Sequence, residues 1–165
     1  MACPRQLVAL ALLLAVLVAS GASARAAGPL PSLDLFAADG SRTETARLPI
    51  ASGKWIFICV RPHHRASEEL LTRLSDPRYA GALQRTVIVL AGVKADGLAA
   101  FQAKYRELAG ALWYADPVKM IGAALKLSSA PIILGVDDHD VRWTLNGLPH
   151  DVAWTRSLLT SWVRP

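Results

Sequence analysis

Cysteine is nearly missing from this chain of 165 residues, which has only Cys3 and Cys59. Two thiols so far apart do not form the framework of spaced cysteine pairs that stabilises many small secreted domains. The chain has no Cys-x-x-Cys pair either, so exchange between two neighbouring thiols and a disulfide is excluded. The stability of the protein must therefore come from a hydrophobic core.

The chain also lacks an apolar run of the ~20 residues that a membrane-spanning helix needs. Its first apolar run, Leu7–Val18, has roughly a dozen residues, follows Arg5 and leads into small residues at A-x-A spacing. This order predicts a secretory signal peptide over residues 1–26, with cleavage after Ala24 or Ala26. An uncleaved membrane anchor is the alternative interpretation.

Removal of the signal peptide leaves one domain with one thiol. Cys3 lies ahead of the apolar run and leaves with the signal peptide, whereas Cys59 stays. The formal net charge of +5 falls by two when Arg5 and Arg25 are removed, and the remaining charges alternate without a basic block. This pattern gives no case for nucleic-acid binding. Residues 27–165 have the length of a single domain, which we expect to be periplasmic or secreted, with no stable membrane span.

Apolar runs alternate with amphipathic segments after residue 27, as strands alternate with helices in an α/β domain. Trp55–Val60 and Val87–Ala91 are apolar on both faces and predict buried strands. Apolar residues at helical spacing predict helices from about His64 to Leu74 and from Leu98 to Leu108. Leu33–Phe36 predicts a further short strand.

The last third of the chain predicts two more helices and a hairpin. Asp116 and Pro117 predict a helix start, as an N-cap and a first-turn proline, with Val118 inside that helix. Ile132–Val136 and Val141–Leu145 flank a polar turn and predict an antiparallel hairpin. A last helix is predicted after the cap Asp151, presenting Val152, Leu158, Leu159, Trp162 and Val163. The tryptophans 143, 154 and 162 are interpreted as core residues.

Three motifs stand in an order typical of one fold. Gly53-Lys54 leads into the first buried strand, Pro131 leads into the hairpin, and 70 positions separate Arg61 from Pro131. In these features the chain resembles the thioredoxin-like superfamily, in its TlpA-type branch of exported thiol-disulfide oxidoreductases, over roughly residues 33–163. The resemblance implies a three-layer α/β fold with a mixed central sheet and helices on both faces. It also implies a cis peptide bond before Pro131.

The chain departs from that family where the two reactive cysteines belong. The family's C-x-x-C falls on Arg61–His64 when the helices are aligned, and on Arg65–Glu68 when the strands are aligned. Neither segment contains a cysteine, and an Arg, His or Glu side chain replaces neither the attacking thiolate nor the resolving thiol. We therefore expect no dithiol enzyme activity by the family's mechanism. The residue before the expected cis-proline is Ala130.

Cys59 is the alternative catalytic residue. It lies within the apolar strand, two residues before the loop, and is predicted to be a buried core thiol that acts as a small hydrophobe. A monothiol or peroxidatic cysteine would need exposure and a setting that stabilises the thiolate.

The histidines predict no metal site. His63 and His64 are neighbours, and neighbouring side chains on a regular element do not face the same way. A Cu or Zn site formed by one of them with a distant His139 or His150 is the alternative to a solvated loop. We predict no metal and no cofactor.

Three functional hypotheses follow from the resemblance and the missing cysteines. The first is a redox-inactive binding or adaptor module that holds a protein or peptide partner in the cell envelope. Its binding groove would lie between Arg61, His63, His64 and Arg65 on one side and Ala130 and Pro131 on the other. The second hypothesis is a monothiol oxidoreductase or peroxidase that uses Cys59. The third is a structural component of an envelope assembly such as a conjugation or secretion apparatus.

Overall fold

Apolar strands from the middle of the chain form the sheet on which the other elements pack. The structure, a computed structural model, describes residues 28–125 and 129–164. The predicted signal peptide over residues 1–26, with its Cys3, lies outside the described residues. The strands are β1 (Gly28–Pro29), β2 (Asp34–Phe36), β3 (Arg42–Glu44), β4 (Lys54–Val60), β5 (Thr86–Ala91), β6 (Leu112–Asp116), β7 (Ile132–Asp137) and β8 (Asp140–Asn146). The helices are α1 (Arg65–Leu74), α2 (Ala80–Leu83), α3 (Ala95–Lys104), α4 (Met120–Ala124) and α5 (Val152–Trp162).

The sheet is mixed, as predicted, with the strand order β1-β8-β7-β4-β5-β6-β2-β3. β4, β5 and β6 run parallel, and β7 pairs with β4 antiparallel from Lys54–Asp137 to Cys59–Ile132. β4 is buried along its whole length from Trp55 to Val60, because other elements cover both of its faces. The hairpin of β7 and β8 is confirmed.

Alternate residues of β4 point into two separate cores. Ile56, Ile58 and Val60 belong to a core that α1, α2, α3 and α5 cover. Trp55, Phe57 and Cys59 belong to the opposite core, which α4 and the segment before β4 cover. The three layers of helix, sheet and helix predicted from the resemblance are therefore present. Among the described residues, no helix combines the length and the apolar character needed to cross a membrane.

The helix predicted to start at Asp116-Pro117 starts later. Its first residue is Met120, and Val118 lies in the loop before it. Asp116 still caps the helix, but its carboxylate does so across a longer loop: Oδ1 accepts from the Met120 N–H and Oδ2 from the Ile121 N–H, both at 3.0 Å. The predicted start was wrong because an N-cap residue directly precedes its helix, whereas Asp116 accepts hydrogen bonds from residues four and five positions ahead.

The core assignment of the final helix needs one correction. Asp151 caps α5 as predicted, since its side chain accepts from the Trp154 N–H at 2.8 Å. However, Trp154 is 48% exposed and Val152 is 41% exposed, because Thr155 and Leu159 form the buried face of α5. The other two tryptophans, 143 and 162, pack against the core as predicted. Their rings meet edge to face at 5.7 Å.

Candidate functional site

The candidate site lies at the carboxyl ends of the parallel strands, where α/β sheets commonly bind ligands. β4, β5 and β6 end side by side at this edge, followed by Arg61, Gly92 and Pro117 respectively. The loop before β7 reaches the same edge, because β7 runs antiparallel to β4. Segments that are distant in the sequence therefore meet around the end of β4.

The loop from Arg61 to His64 connects β4 to α1 and is held by the first turn of that helix. The Arg61 N–H donates to the hydroxyl of Ser67 at 3.1 Å, and the Ser67 side chain is buried. His63 adopts a left-handed φ of 58°, and its ring lies edge to face with Phe101 at 6.4 Å. His64 is the N-cap residue of α1 and makes no side-chain capping hydrogen bond. The loop thus stands at the helix terminus where the family carries its cysteines.

The facing wall of the site is the loop before β7. The peptide bond between Ala130 and Pro131 is cis, as the resemblance implied. Pro131 is buried and its carbonyl accepts from the Gly147 N–H at 2.8 Å, which ties the loop to the end of β8. The ladder between β7 and β4 ends at the Ile132–Cys59 pair, so Ala130 lies beyond the last paired residue.

A crevice of about 50 Å³ separates the two walls. Space of this size holds a few water molecules or a small side-chain group. The crevice is lined by Cys59, Val60, Arg61, Ala91, Lys119, Gly122, Ser129, Ala130 and Ile132. The structure thus brings together three of the residues singled out from the sequence, Arg61, Ala130 and Cys59. Four other residues singled out from the sequence do not line the crevice: His63, His64, Arg65 and Pro131.

Lys119 is the site residue that the sequence did not reveal. It precedes α4 in a left-handed conformation with φ of 59°, and its stem crosses the loop after β5. A Cβ added to Gly92, which has a left-handed φ of 83°, would lie 2.7 Å from Cε of Lys119, so the end of the lysine side chain would have to shift if another residue stood there. Lys119 stands between Val118 and Met120 with no recognisable motif around it, and only the fold brings it to the same crevice as Arg61.

The charges that face the crevice are mostly positive. Arg61 and Lys119 form no ion pair with other described residues, and both are exposed. The carboxylate of Asp116, at the end of β6, is buried, and its two oxygens accept the backbone hydrogen bonds that cap α4. The exposed N–H groups at the start of α1 add partial positive charge to the same side. The site therefore favours an anionic group.

Cys59 lies at the floor of the crevice but is only 4% exposed. Burial, together with the nearby charge of Asp116, raises the pKa of the Cys59 thiol from 9.0 to about 12, against a smaller opposing effect of Arg61. The thiol is therefore neutral at physiological pH. This is the buried core cysteine that the sequence predicted.

No protein-family model and no curated protein sequence matches the chain. Solved structures do match its fold. One is a secreted disulfide oxidoreductase of Mycobacterium tuberculosis homologous to E. coli DsbE, with a TM-score of 0.62 and 13% identity, over 79% of this chain and 96% of that chain. The exposed lipoprotein thioredoxin of Streptococcus pneumoniae matches with a TM-score of 0.57 and 13% identity, over 79% and 99%. Peroxiredoxin 5 of Alvinella pompejana matches with a TM-score of 0.64 and 13% identity, over 82% and 96%.

These matches establish the class of fold. The chain has the thioredoxin-like fold, as the sequence motifs predicted. At identities this low the likeness extends to the fold alone. What the site does must be argued from its own residues.

Proposed function

We propose that the processed chain is an exported, redox-inactive thioredoxin-like protein that acts as a binding or adaptor module. Its binding site would be the groove between the Arg61–Arg65 loop and the Ala130–Pro131 loop. The observation that carries the proposal is that both walls of the groove are retained around a position without reactive cysteines. A groove that keeps its shape but cannot exchange thiols is suited to binding.

The mode of binding proposed here is the addition of an extended peptide beside Ala130. The β4–β7 ladder ends at Ile132, two residues after Ala130, so a peptide strand would hydrogen-bond to the backbone of Ala130 by β-augmentation. Arg61, in the loop before α1, and Arg65, the first residue of α1, are both exposed and would attract a carboxylate of the peptide. The partner is thus an extended segment of an envelope protein that carries acidic residues.

One observation favours a second candidate function, a monothiol oxidoreductase or peroxidase. Cys59 lines the crevice, so a small oxidant could reach the floor of the groove near it. The exposed fraction of 4% and a thiol pKa of about 12 argue against this candidate, since the thiolate is the reactive species. A structural role in a conjugation or secretion assembly would use the same groove and differs from our proposal only in the partner.

The test of the proposed groove is cross-linking in intact cells. The triple variant Arg61→Ala, His63→Ala and Arg65→Ala should keep its folding stability within about half a kcal/mol, because exposed substitutions rarely cost more. It should lose the cross-linked partner that the parent protein yields. A double variant, Arg47→Ala and Arg106→Ala, removes exposed positive charge outside the groove and serves as the matched control. If the triple variant keeps its partner, the contacts lie on another face.

Export and redox inactivity have separate tests. Mass analysis of the exported protein should give an N-terminus at Arg25 or Ala27. Full-length protein in the membrane fraction would instead indicate an uncleaved anchor. The processed protein should show no reduction of insulin disulfides in the presence of dithiothreitol beyond the uncatalysed rate, because the chain has no pair of neighbouring thiols.

A further inference from the structure

The loop between β6 and α4 presents an apolar rim beside the groove. Val118 is 68% exposed and Met120 is 47% exposed. Both flank Lys119, which lines the crevice. Single exposed apolar side chains are ordinary on a protein surface, whereas these two are neighbours, in sequence, of a residue that lines the crevice. We refer to Val118 and Met120 as the apolar rim.

The apolar rim flanks a lysine whose stem passes close to Gly92. Lys119 has the left-handed backbone that non-glycine residues seldom adopt, and its stem fills the space above Gly92. Its ammonium group is not used inside the protein, since it forms no ion pair within the part of the chain that the structure describes. An exposed cation between two exposed apolar side chains forms an amphipathic surface.

We infer that the groove selects extended peptides in which an acidic residue and an apolar residue lie two positions apart. This inference rests on the proposed binding function and names the class of segment that the site takes. The acidic side chain would contact Arg61 and Lys119, and the apolar side chain would lie on the apolar rim.

The spacing follows from strand geometry. Residues i and i+2 of an extended strand point to the same side and are about 7 Å apart. Val118 and Met120 are each one residue from Lys119, so their Cα atoms lie about 3.8 Å from its Cα. Two peptide side chains that both contact residues 118–120 must therefore lie close together on one side of the peptide strand.

The crevice favours a peptide over a lipid surface. Arg61 and Ala130 both line a concave space of about 50 Å³, which admits a single small side-chain group such as the carboxylate of a peptide residue. The apolar rim has two residues, whereas interfacial membrane segments present a long apolar face. Charge complementarity then assigns the acidic residue to the crevice and the apolar residue to its edge.

The test is selection from a random dodecapeptide display library on the immobilised processed protein, followed by titration of the selected peptides as fluorescent probes. The peptides should carry an acidic and an apolar residue two positions apart. The double variant Val118→Ser and Met120→Ser should weaken their binding about tenfold, which corresponds to about 60 Å² of apolar surface left unburied. The matched control, Val152→Ser and Trp154→Ser, removes the exposed apolar pair of α5 on the opposite face and should leave affinity unchanged.

A second measurement does not depend on the folding of the variants. Replacing the apolar residue of a selected peptide by serine should weaken its binding to the parent protein about tenfold. The same replacement should have little further effect on binding to the Val118→Ser and Met120→Ser variant, which has already lost this contact. Two independent losses that add would overturn the inference, because the two side chains would then not touch.

The remaining outcomes separate the inference from the proposed function. Selected peptides that are acidic only, and that depend on Arg61 but not on the apolar rim, would overturn the inference and leave the proposed function standing. A selection that enriches no peptide, or peptides that bind the Arg61→Ala and Arg65→Ala variant equally well, would remove both. Rim-dependent binding to phosphatidylglycerol–phosphatidylethanolamine vesicles without any selected peptide would assign the surface to lipid and overturn the inference.

Discussion

The buried thiol gives the most direct experimental test of redox inactivity. Its pKa of about 12 lies three units above its ordinary value of 9.0. Near pH 8 the thiolate fraction therefore falls about a thousandfold. A thiolate of higher pKa is more nucleophilic, which recovers a factor of about twenty at the usual Brønsted slope. The chemical reactivity of Cys59 should thus be about fiftyfold below that of the same thiol in the unfolded chain, before any effect of access.

The exposed fraction of 4% lowers the rate further, because a reagent must wait for local opening of the loops around the crevice. The assay is the rate of labelling by a thiol reagent at pH 8, native and in denaturant. The matched control is Ser129→Cys in a Cys59→Ala background, which puts a thiol at an exposed position of the same crevice. This control should be labelled in the native protein at nearly the denatured rate.

One outcome would refute the reasoning. If native Cys59 is labelled at a rate within a few-fold of the Ser129→Cys control near neutral pH, the thiol is accessible and its pKa is not raised. Formation of a sulfenic acid with hydrogen peroxide would have the same meaning and would support the monothiol enzyme instead.

Three further predictions concern stability. Gly135→Ala should lower the free energy of unfolding, measured with urea, by about 3 kcal/mol, because the added Cβ would lie 2.0 Å from the indole of Trp143. The control Gly81→Ala, which has open space around it, should be neutral or slightly stabilising. Asp116→Ala should cost about 2 kcal/mol on the same assay, since two helix N–H groups lose their acceptor. The raised pKa of Cys59 gives stability that is complete below about pH 9 and is lost as pH rises toward about 12, by roughly 4 kcal/mol in all. Alkaline unfolding should therefore be steeper in the parent than in Cys59→Ala, and equal slopes would show that the folded thiol is not protected.

Long apolar runs and single capping residues made much of the fold predictable. Both faces of β4 are buried, so the strand is visible in the sequence as an unbroken apolar run. The start of α5 was predictable because Asp151 is its N-cap. β1 and β3 have two and three residues and carry no periodic signal. β1 and β3 are strands because they hydrogen-bond to β8 and β2, and such pairing leaves no pattern in the local sequence.

The candidate site was predictable only in part, for a topological reason. Arg61 and Ala130 were found because a family resemblance names their positions. Lys119 was not found, because it lies in the connection between β6 and β7 and no local pattern shows that this connection passes beside the crevice. Its side chain reaches the crevice alongside Gly92, which has no side chain of its own. The rim residue Val118 was misplaced into a helix because the cap of that helix acts from Asp116 across the loop. Contacts between distant segments are not visible in local sequence.

The two outer strands of the sheet bear on how this chain would behave at high concentration. β1 consists of Gly28 and Pro29, and proline has no N–H to offer a neighbouring strand. β3 has three residues and presents the exposed, charged Arg42. Short edges of this kind resist edge-to-edge pairing between copies of a protein. Under the proposed function a foreign strand would add beside Ala130 and not at these outer strands, so that binding of a partner and protection from self-association would be properties of different parts of one sheet.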